Sequence, residues 1–250
     1  MNATLTHIKL MLILCFCSVL ISAQCKADTS TTAVSANNYQ QLFTQTADKA
    51  QLVALSQKLN LGETVRGQFV QSRQLKVLKK PLISQGQFIF DKEQGLIWQQ
   101  IKPFESLLIL KDKQLIQRDS QGRVQVSKAD ASASAAAMGD LLPSLVRAML
   151  GGDISSLSEN FELHFLIADR LSPDGQWQLG LTPKDPLMKK AIANMVLEGS
   201  DVLQSLVLLS AAPNVSPQDM TRIDFSALSQ GKLSETELAQ YAVAIEAKKP

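Results

Sequence analysis

The spacing of hydrophobic residues along the chain changes from a helical to a strand period at Gly62. Before it, apolar residues recur at about helical spacing, which predicts one helix within Tyr39–Leu59, best defined over Ala47–Leu59. After it, apolar and polar residues alternate in Val65–Gln71 and again in Ser84–Phe90, which predicts half-buried strands.

Further short segments with strand character follow, separated by polar turns. They are Leu96–Lys102, Glu105–Leu110, Leu115–Asp119, Arg123–Val126, Phe161–Ile167, Trp177–Leu181, Ala191–Glu198, Leu203–Leu209 and Thr221–Phe225. Consecutive short strands with tight turns predict an antiparallel meander of about ten strands. A sheet of that size tends to curl towards a barrel.

Two later segments return to a helical pattern. An apolar stripe that includes Leu141, Leu145 and Met149 predicts a helix inserted into the meander at about residues 138–150. Ser234 and Glu237 fit a capping box, which predicts a last helix at about residues 234–247. The predicted fold is mainly β with helices: an incomplete, half-open antiparallel β-barrel with an α-helical lid, in a single domain over residues 28–250.

The first 27 residues have the features of a signal peptide. Basic residues without acids precede an apolar run from Leu10 to Ala23, which is shorter than a membrane-spanning helix requires. Cleavage after Ala27 is favoured and cleavage after Ala23 is the alternative. Lipidation of Cys25 is a further alternative, although Gln24 before it is larger than that reaction prefers. All three cysteines lie in or beside this segment, so the mature chain is expected to be exported and free of disulfides.

Charge and residue content exclude several functions. The chain carries 25 Lys and Arg against 23 Asp and Glu, and the leader holds two of the basic residues, so a mature chain is neutral and a poor partner for nucleic acid. His164 is the only histidine after the leader, and its alternation within a strand favours a structural role. No phosphate-loop, dinucleotide or nucleophile-elbow motif is present. We therefore expect no enzyme activity, no metal and no cofactor.

The sequence is rich in apolar strand residues instead. Six of them project from consecutive strands: Phe69, Phe88, Phe90, Trp98, Leu108 and Leu110. Such residues usually form a closed β-domain core, but a curled sheet with few large side chains also leaves a cavity for an acyl chain. The pattern leaves both interpretations open.

An ordered set of short motifs resembles the LolA family of periplasmic outer-membrane lipoprotein carriers. The set runs through the chain between Asn38 and Phe225 and comprises Gly67-Gln68-Phe69-Val70-Gln71, Gly86-Gln87-Phe88, Leu96-Ile97-Trp98, Lys102-Pro103-Phe104-Glu105-Ser106-Leu107-Leu108-Ile109, Leu181-Thr182-Pro183-Lys184 and Ile223-Asp224-Phe225. The resemblance implies an incomplete barrel closed by a helical lid, without a catalytic centre.

The resemblance also implies a function. Such a carrier is a periplasmic monomer that receives an acylated lipoprotein or lipid from an inner-membrane exporter and passes it to an outer-membrane receptor, with transient membrane contact. The six strand residues would line the cavity, and Leu141, Leu145 and Met149 would lie on the underside of the lid. Where the family has an arginine that holds the lid, this chain has Lys92, which lacks the planar fork of donors.

Three alternatives remain at this point. One is a carrier for a lipid other than a lipoprotein, served by a dedicated exporter. Another is an interaction or assembly module whose apolar surface is filled by its own core or by a protein partner. The third is a hydrolase with two carboxylates, although the predicted strand interiors offer no converging pair.

Overall fold

The computed structural model describes most of the chain after Asn38. The described residues are 39–59, 62–112, 114–128, 145, 148, 152–167, 175–190, 192–210 and 219–246. They all belong to one compact unit, Ser35–Pro250. The predicted signal peptide, with Cys25, lies outside them.

Within the described residues, eleven strands form one antiparallel sheet. Numbered β1 to β11, they are Thr64–Gln74, Leu82–Asp91, Gly95–Lys102, Ser106–Lys111, Gln114–Arg118, Val124–Lys128, Phe161–Ile167, Trp177–Pro183, Ile192–Gly199, Leu203–Ser210 and Met220–Gln230. Their order in the sheet is β6-β5-β4-β3-β2-β1-β11-β10-β9-β8-β7, so β1 and β11 pair in the middle and β6 and β7 are the two edges. The sheet is an open half-barrel with helices, which confirms the predicted fold class.

The first predicted helix is shorter than expected. Helix α1 spans Lys49–Lys58, within the segment that the pattern defined best, but the prediction that a helix reaches back towards Tyr39 is wrong. Asp48 is the N-cap: its carboxylate accepts the amide hydrogen of Ala50, and the side chain of Gln51 accepts that of Asp48. Before the cap, the chain runs extended and the amide of Ala47 donates to the Leu163 carbonyl of edge strand β7.

Several short elements complete the described fold. They are helices α2 (Leu157–Asn160) and α3 (Pro186–Lys189), the longer helix α4 (Glu235–Glu246), and the 3-10 turns Leu42–Thr44 and Ile154–Ser156. Leu55 and Leu59 pack with Ile154 and Leu157 into the main apolar core on the inner face of the sheet. Helix α1 and the segment around α2 therefore cover part of that face.

Strand β11 is longer than its hydrophobic pattern indicates. The prediction ended at Phe225, whereas the strand continues to Gln230 through a segment in which Leu228 is the one large apolar residue. Pairing with β1 stabilises the part of β11 after Phe225, because the ladder continues across a register shift between Arg66 and Gln68. Ala227 lies nearby with a positive φ of 51°. A backbone irregularity of this kind leaves no periodic trace in a sequence.

Helix α4 lies against the outer face of the sheet, over strands β2 to β5. The predicted capping box is confirmed: Ser234 donates from its backbone amide to Glu237 at 2.7 Å, and the Glu237 amide donates to the Ser234 hydroxyl at 3.3 Å. The guanidinium of Arg66 on β1 also binds Glu237. Tyr241 is fully buried, and its hydroxyl donates to the carbonyls of Ile89 and Gly95.

The ion pair between Arg66 and Glu237 predicts a pH dependence of stability. The hydrogen bonds from Arg66, together with those from Ser234, lower the pKa of Glu237 from 4.5 to about 2. The stabilisation is therefore fully present above about pH 4.5 and is lost as the pH falls towards 2. We expect Glu237→Gln to reduce the free energy of unfolding by about 1.5 kcal/mol at pH 7, since the pair stays in contact with solvent.

Urea unfolding of both proteins between pH 2 and pH 7 measures this effect. The difference between the wild-type protein and Glu237→Gln should shrink steadily below pH 4.5. A difference that stays constant down to pH 2 would show that the charge of Glu237 does not hold helix α4.

Candidate functional site

Two Gly-Gln-Phe segments face each other across strands β1 and β2. Gly67 pairs with Phe88, and Phe69 pairs with Gly86, so each aromatic ring lies over the glycine of the neighbouring strand. A Cβ atom on Gly67 would lie 2.7 Å from a Phe88 ring carbon, and one on Gly86 would lie 2.6 Å from the Phe69 ring. The motifs therefore place two rings against the inner wall, with glycine providing the space.

Four aromatic side chains form a cluster on this inner face. The rings of Phe69 and Trp98 are stacked with centroids 3.8 Å apart, and those of Phe88 and Trp98 are stacked at 6.0 Å. Phe225 meets Phe88 and Trp98 edge to face, at 5.6 and 6.4 Å. Stacked and edge-to-face contacts of this kind fix the rings relative to one another.

The six predicted wall residues fall into two groups by exposure. Four of them, Phe69, Phe88, Phe90 and Leu110, are at most 4% exposed and belong to the main core. The other two, Trp98 and Leu108, are half-buried and lie directly opposite each other on β3 and β4. The accessible part of the wall is therefore smaller than the predicted set.

The second half of the sheet contributes inward apolar residues that sequence reasoning did not single out. Phe225 pairs with Phe69, and Leu206 and Leu208 pair with the core residues Leu197 and Met195. The alternating pattern in Leu203–Leu209 contained this signal. Together with Trp98 and Leu108, these half-buried residues form what we call the inner strip: Trp98, Leu108, Leu206, Leu208 and Phe225.

Two residues of the predicted lid segment are described. Leu145 and Ala148 are helical, and they are buried in the same core as Phe69 and Phe88. Leu145 was a predicted lid contact, and its burial places this residue, with Ala148, against the inner face. The other two predicted lid residues, Leu141 and Met149, lie outside the described residues.

Lys92 lies in the turn between β2 and β3. Its amide donates to the Glu63 carbonyl at 3.0 Å, and its ammonium group is 3.7 Å from the exposed Glu63 carboxylate. An exposed pair of this kind contributes little to stability. The contacts of Lys92 that the structure gives are therefore with Glu63, just before the first residue of β1, and not with the described lid residues.

A cluster of polar side chains lies on the outer face of the sheet, on strands β9, β10 and β11. Arg222 donates to Glu198 at 2.8 Å, to Asp224 at 2.8 Å and to the Ser205 hydroxyl at 3.0 Å. Burial, with the nearby Glu198 carboxylate, raises the pKa of the Tyr39 hydroxyl, which lies 3.4 Å from Arg222. Burial by itself would lower the pKa of Arg222, but the carboxylates of Glu198 and Asp224 have a larger opposite effect, so the pKa of Arg222 is raised. These contacts join strands β9, β10 and β11 and leave the groups in structural roles.

His164 also lies on the outer face. Its ring packs edge to face on Phe43 with centroids 5.3 Å apart, and Nε2 is 3.5 Å from the Thr182 hydroxyl. It borders a pocket of about 410 Å³ at edge strand β7, lined by Thr46, Ala47, Leu52, Ser158, Phe161, Glu162, Leu163, His164 and Lys184. In the described part of the chain, no three His, Cys, Asp or Glu side chains are grouped to hold a metal ion.

Fold and inner face together define a half-barrel binding protein with an apolar interior. The chain belongs to the LolA-like family of outer membrane lipoprotein carrier proteins, whose model matches residues 44–240. Members of this family are periplasmic carrier and binding proteins. No curated protein matches the sequence. Among the described residues, no helix is long and apolar enough to cross a membrane.

Solved structures with similar folds share little sequence with this chain. A LolA superfamily protein from Nitrosomonas europaea is 10% identical, covers 82% of this chain and 97% of its own, and has a TM-score of 0.40. A DUF1329 family protein from Desulfovibrio piger is 12% identical over 74% of this chain and 92% of its own, with a TM-score of 0.40. The MucA/MucB complex of Pseudomonas aeruginosa is 21% identical over 77% and 60%, with a TM-score of 0.33. At these scores, none supports an inference about function.

Proposed function

We propose that this protein is a periplasmic carrier that binds the acyl chains of a lipoprotein, or of another acylated lipid, on the inner face of its half-barrel. The single observation that carries the proposal is the inner strip. Its five large apolar side chains are only partly buried, whereas neighbours on the same face such as Phe69, Phe88 and Leu110 are at most 4% exposed. An apolar surface kept accessible inside a curled sheet suits an apolar ligand.

The size of the hydrophobic effect explains why a carrier is needed. An acyl chain gains about 0.8 kcal/mol for each CH₂ removed from water, so a chain of about 15 methylenes gains about 12 kcal/mol. Such a lipid does not cross an aqueous space unaided at a useful rate. A binding face built of Trp98, Leu108 and Phe225 offers the shelter without any covalent step.

The lid segment suits the same function. Leu145 and Ala148 are buried against the inner face, so the segment that carries them competes with a ligand for the same apolar surface. Cargo would displace the segment or share the core with it. Release would follow when the next site binds the chains more tightly, because only a difference in affinity moves the ligand. The donor would be an inner-membrane exporter and the acceptor an outer-membrane receptor.

Tryptophan fluorescence tests the proposal directly. The chain has two tryptophans, and Trp177→Phe leaves Trp98 of the inner strip as the only one. We expect a synthetic triacylated lipopeptide to shift the Trp98 emission to shorter wavelength, saturably, because acyl chains replace water beside the ring. Titration of the purified protein without detergent measures this response.

The reverse variant is the matched control. In Trp98→Phe the remaining Trp177 is 3% exposed and its indole N–H donates to the Ser200 carbonyl at 2.7 Å, so its emission should not respond. The unacylated peptide of the same sequence should leave both variants unchanged. An unresponsive Trp98, or an equal response to the unacylated peptide, contradicts the proposal and favours a closed core that serves an assembly module.

A further inference from the structure

The turn between β1 and β2 carries exposed apolar side chains at one end of the sheet. We call residues 76–81 the hairpin tip, and all six of them are exposed. Val77 is 85% exposed, the highest value for a large apolar residue in the described part of the chain, and Leu78 is 42% exposed. Exposing both side chains at the end of a long hairpin contributes nothing to the core, so stability does not explain them.

The neighbouring turn presents a second apolar group. Strand β3 ends beside the start of β2, since Gln85 pairs with Lys102, and the turn that follows holds Phe104, which is 55% exposed. Ile83 and Ile101 are also exposed there. The apolar residues therefore form a band along one end of the sheet rather than a single isolated contact.

Positive charge surrounds the hairpin tip. It contains Lys76, Lys79 and Lys80 and no acidic residue. Asp219 lies at its base, where its carboxylate accepts the amide hydrogen of Lys76 at 2.7 Å and holds the turn against the start of β11. In the neighbouring turn, Lys102 and Glu105 offset each other in formal charge.

We propose that the hairpin tip docks the protein on a bilayer rich in anionic phospholipid. Val77 and Leu78 enter the headgroup region, and the three lysines bind lipid phosphates around them. Apolar side chains flanked by lysines are the pattern of an interfacial anchor, in which burial and charge attraction act together.

Shape and charge favour a membrane over a protein partner. The tip is a projecting turn with two apolar side chains, whereas a stable protein interface buries about 800 Å² on each partner. A second copy of this chain would bring three more lysines against the first three, which like charges oppose. A bilayer needs no complementary pocket and attracts every lysine at once.

The inference deepens the proposed function, because β1 connects the hairpin tip directly to Phe69 and to the paired Phe225 of the inner strip. A protein held by this tip would have the inner face within reach of the membrane that donates or accepts its lipid. Docking itself requires no cargo, so vesicle binding by the empty protein succeeds or fails independently of the Trp98 experiment.

Vesicle co-sedimentation tests the proposal. The protein is purified as the cell processes it, its N-terminus is established by mass spectrometry, and it is mixed with vesicles of phosphatidylcholine with or without phosphatidylglycerol. We expect binding to the anionic vesicles, weaker at high salt, and little binding to pure phosphatidylcholine. The double variant Lys79→Glu with Lys80→Glu should weaken binding by at least about 25-fold, which is fivefold for each lysine removed.

Matched variants distinguish binding through the hairpin tip from nonspecific adsorption of the protein to vesicles. Val77→Asp with Leu78→Asp should abolish binding, whereas Val53→Asp on helix α1, where the valine is also 42% exposed, should not change it. Lys49→Glu on the same helix is the charge control. All variants change exposed residues and should unfold at the wild-type temperature. Equal binding to both vesicle types, or an equal loss in the helix variants, overturns the proposal, as does wild-type binding by either tip variant.

Discussion

Gly86→Ala is expected to destabilise the protein by at least about 3 kcal/mol, because the added methyl group would collide with the backbone of the neighbouring strand. The new Cβ would lie 2.0 Å from the Gln99 carbonyl oxygen and 2.6 Å from the Phe69 ring. The carbonyl belongs to the backbone of β3 and cannot rotate away, so β2 and β3 would have to separate. Urea unfolding of the variant measures the loss.

A second glycine separates the contribution of the ring from that of the backbone. A Cβ on Gly67 would meet only side chains, Phe88 at 2.7 Å and Leu228 at 2.8 Å. Gly67→Ala should therefore cost about 2 kcal/mol, and Phe88→Leu should remove part of that cost in a double-mutant cycle. Phe69→Leu should not relieve Gly86→Ala, because the contact with Gln99 remains.

Gly122→Ala provides the reference for a glycine without a close neighbour. Its Cβ would meet nothing within 4 Å, and its φ of +78° costs alanine about 1 kcal/mol. If Gly86→Ala were no more costly than Gly122→Ala, the close approach of β2 and β3 would not be what fixes the inner wall.

Most of the sheet could be predicted because alternation marks strands that bury one face. Strand β7 was predicted to the residue, Phe161–Ile167, since apolar and polar positions alternate from Phe161 to Phe165 and the apolar character continues to Ile167. The end of β11 could not be, because its residues after Phe225 are mostly polar or small and are held mainly by pairing with β1, with Leu228 alone packing on the core. The start of α1 was misplaced because Leu42 is the buried residue of a 3-10 turn, and apolar spacing does not distinguish that turn from a helix.

The sequence could predict which face of the sheet holds the candidate site, but not how exposed each side chain on that face is. Alternation correctly placed Phe69, Phe88 and Trp98 on one face, yet it does not report how much of each side chain other elements cover. Phe69 is covered by its stack with Trp98, which leaves the tryptophan as the outer layer of the pair. Exposure depends on contacts distant in sequence, and Leu145 provides one of them from a segment far from β1.

A single charge on the inner strip should weaken cargo binding strongly and leave the fold intact. Leu108 is half-buried, opposite Trp98, and outside the main core cluster, so Leu108→Glu leaves that cluster complete. A carboxylate against an acyl chain costs about 3 kcal/mol, which predicts a loss of roughly 100-fold in affinity for a triacylated lipopeptide. The shift of Trp98 emission on titration measures that affinity.

The adjacent residue is the control, because neighbours in a strand face opposite sides of the sheet. Leu107 is also half-buried, but it packs on the outer face beside Ile97 and Tyr241. Leu107→Glu should therefore lower the unfolding temperature at least as much as Leu108→Glu while the lipopeptide affinity stays near wild type. Leu108→Gln should lose less affinity than Leu108→Glu, since the amide has no charge to desolvate. If both glutamate variants lost affinity in proportion to their stability, the loss would reflect unfolding, and the inner strip would not be the surface that holds the acyl chains.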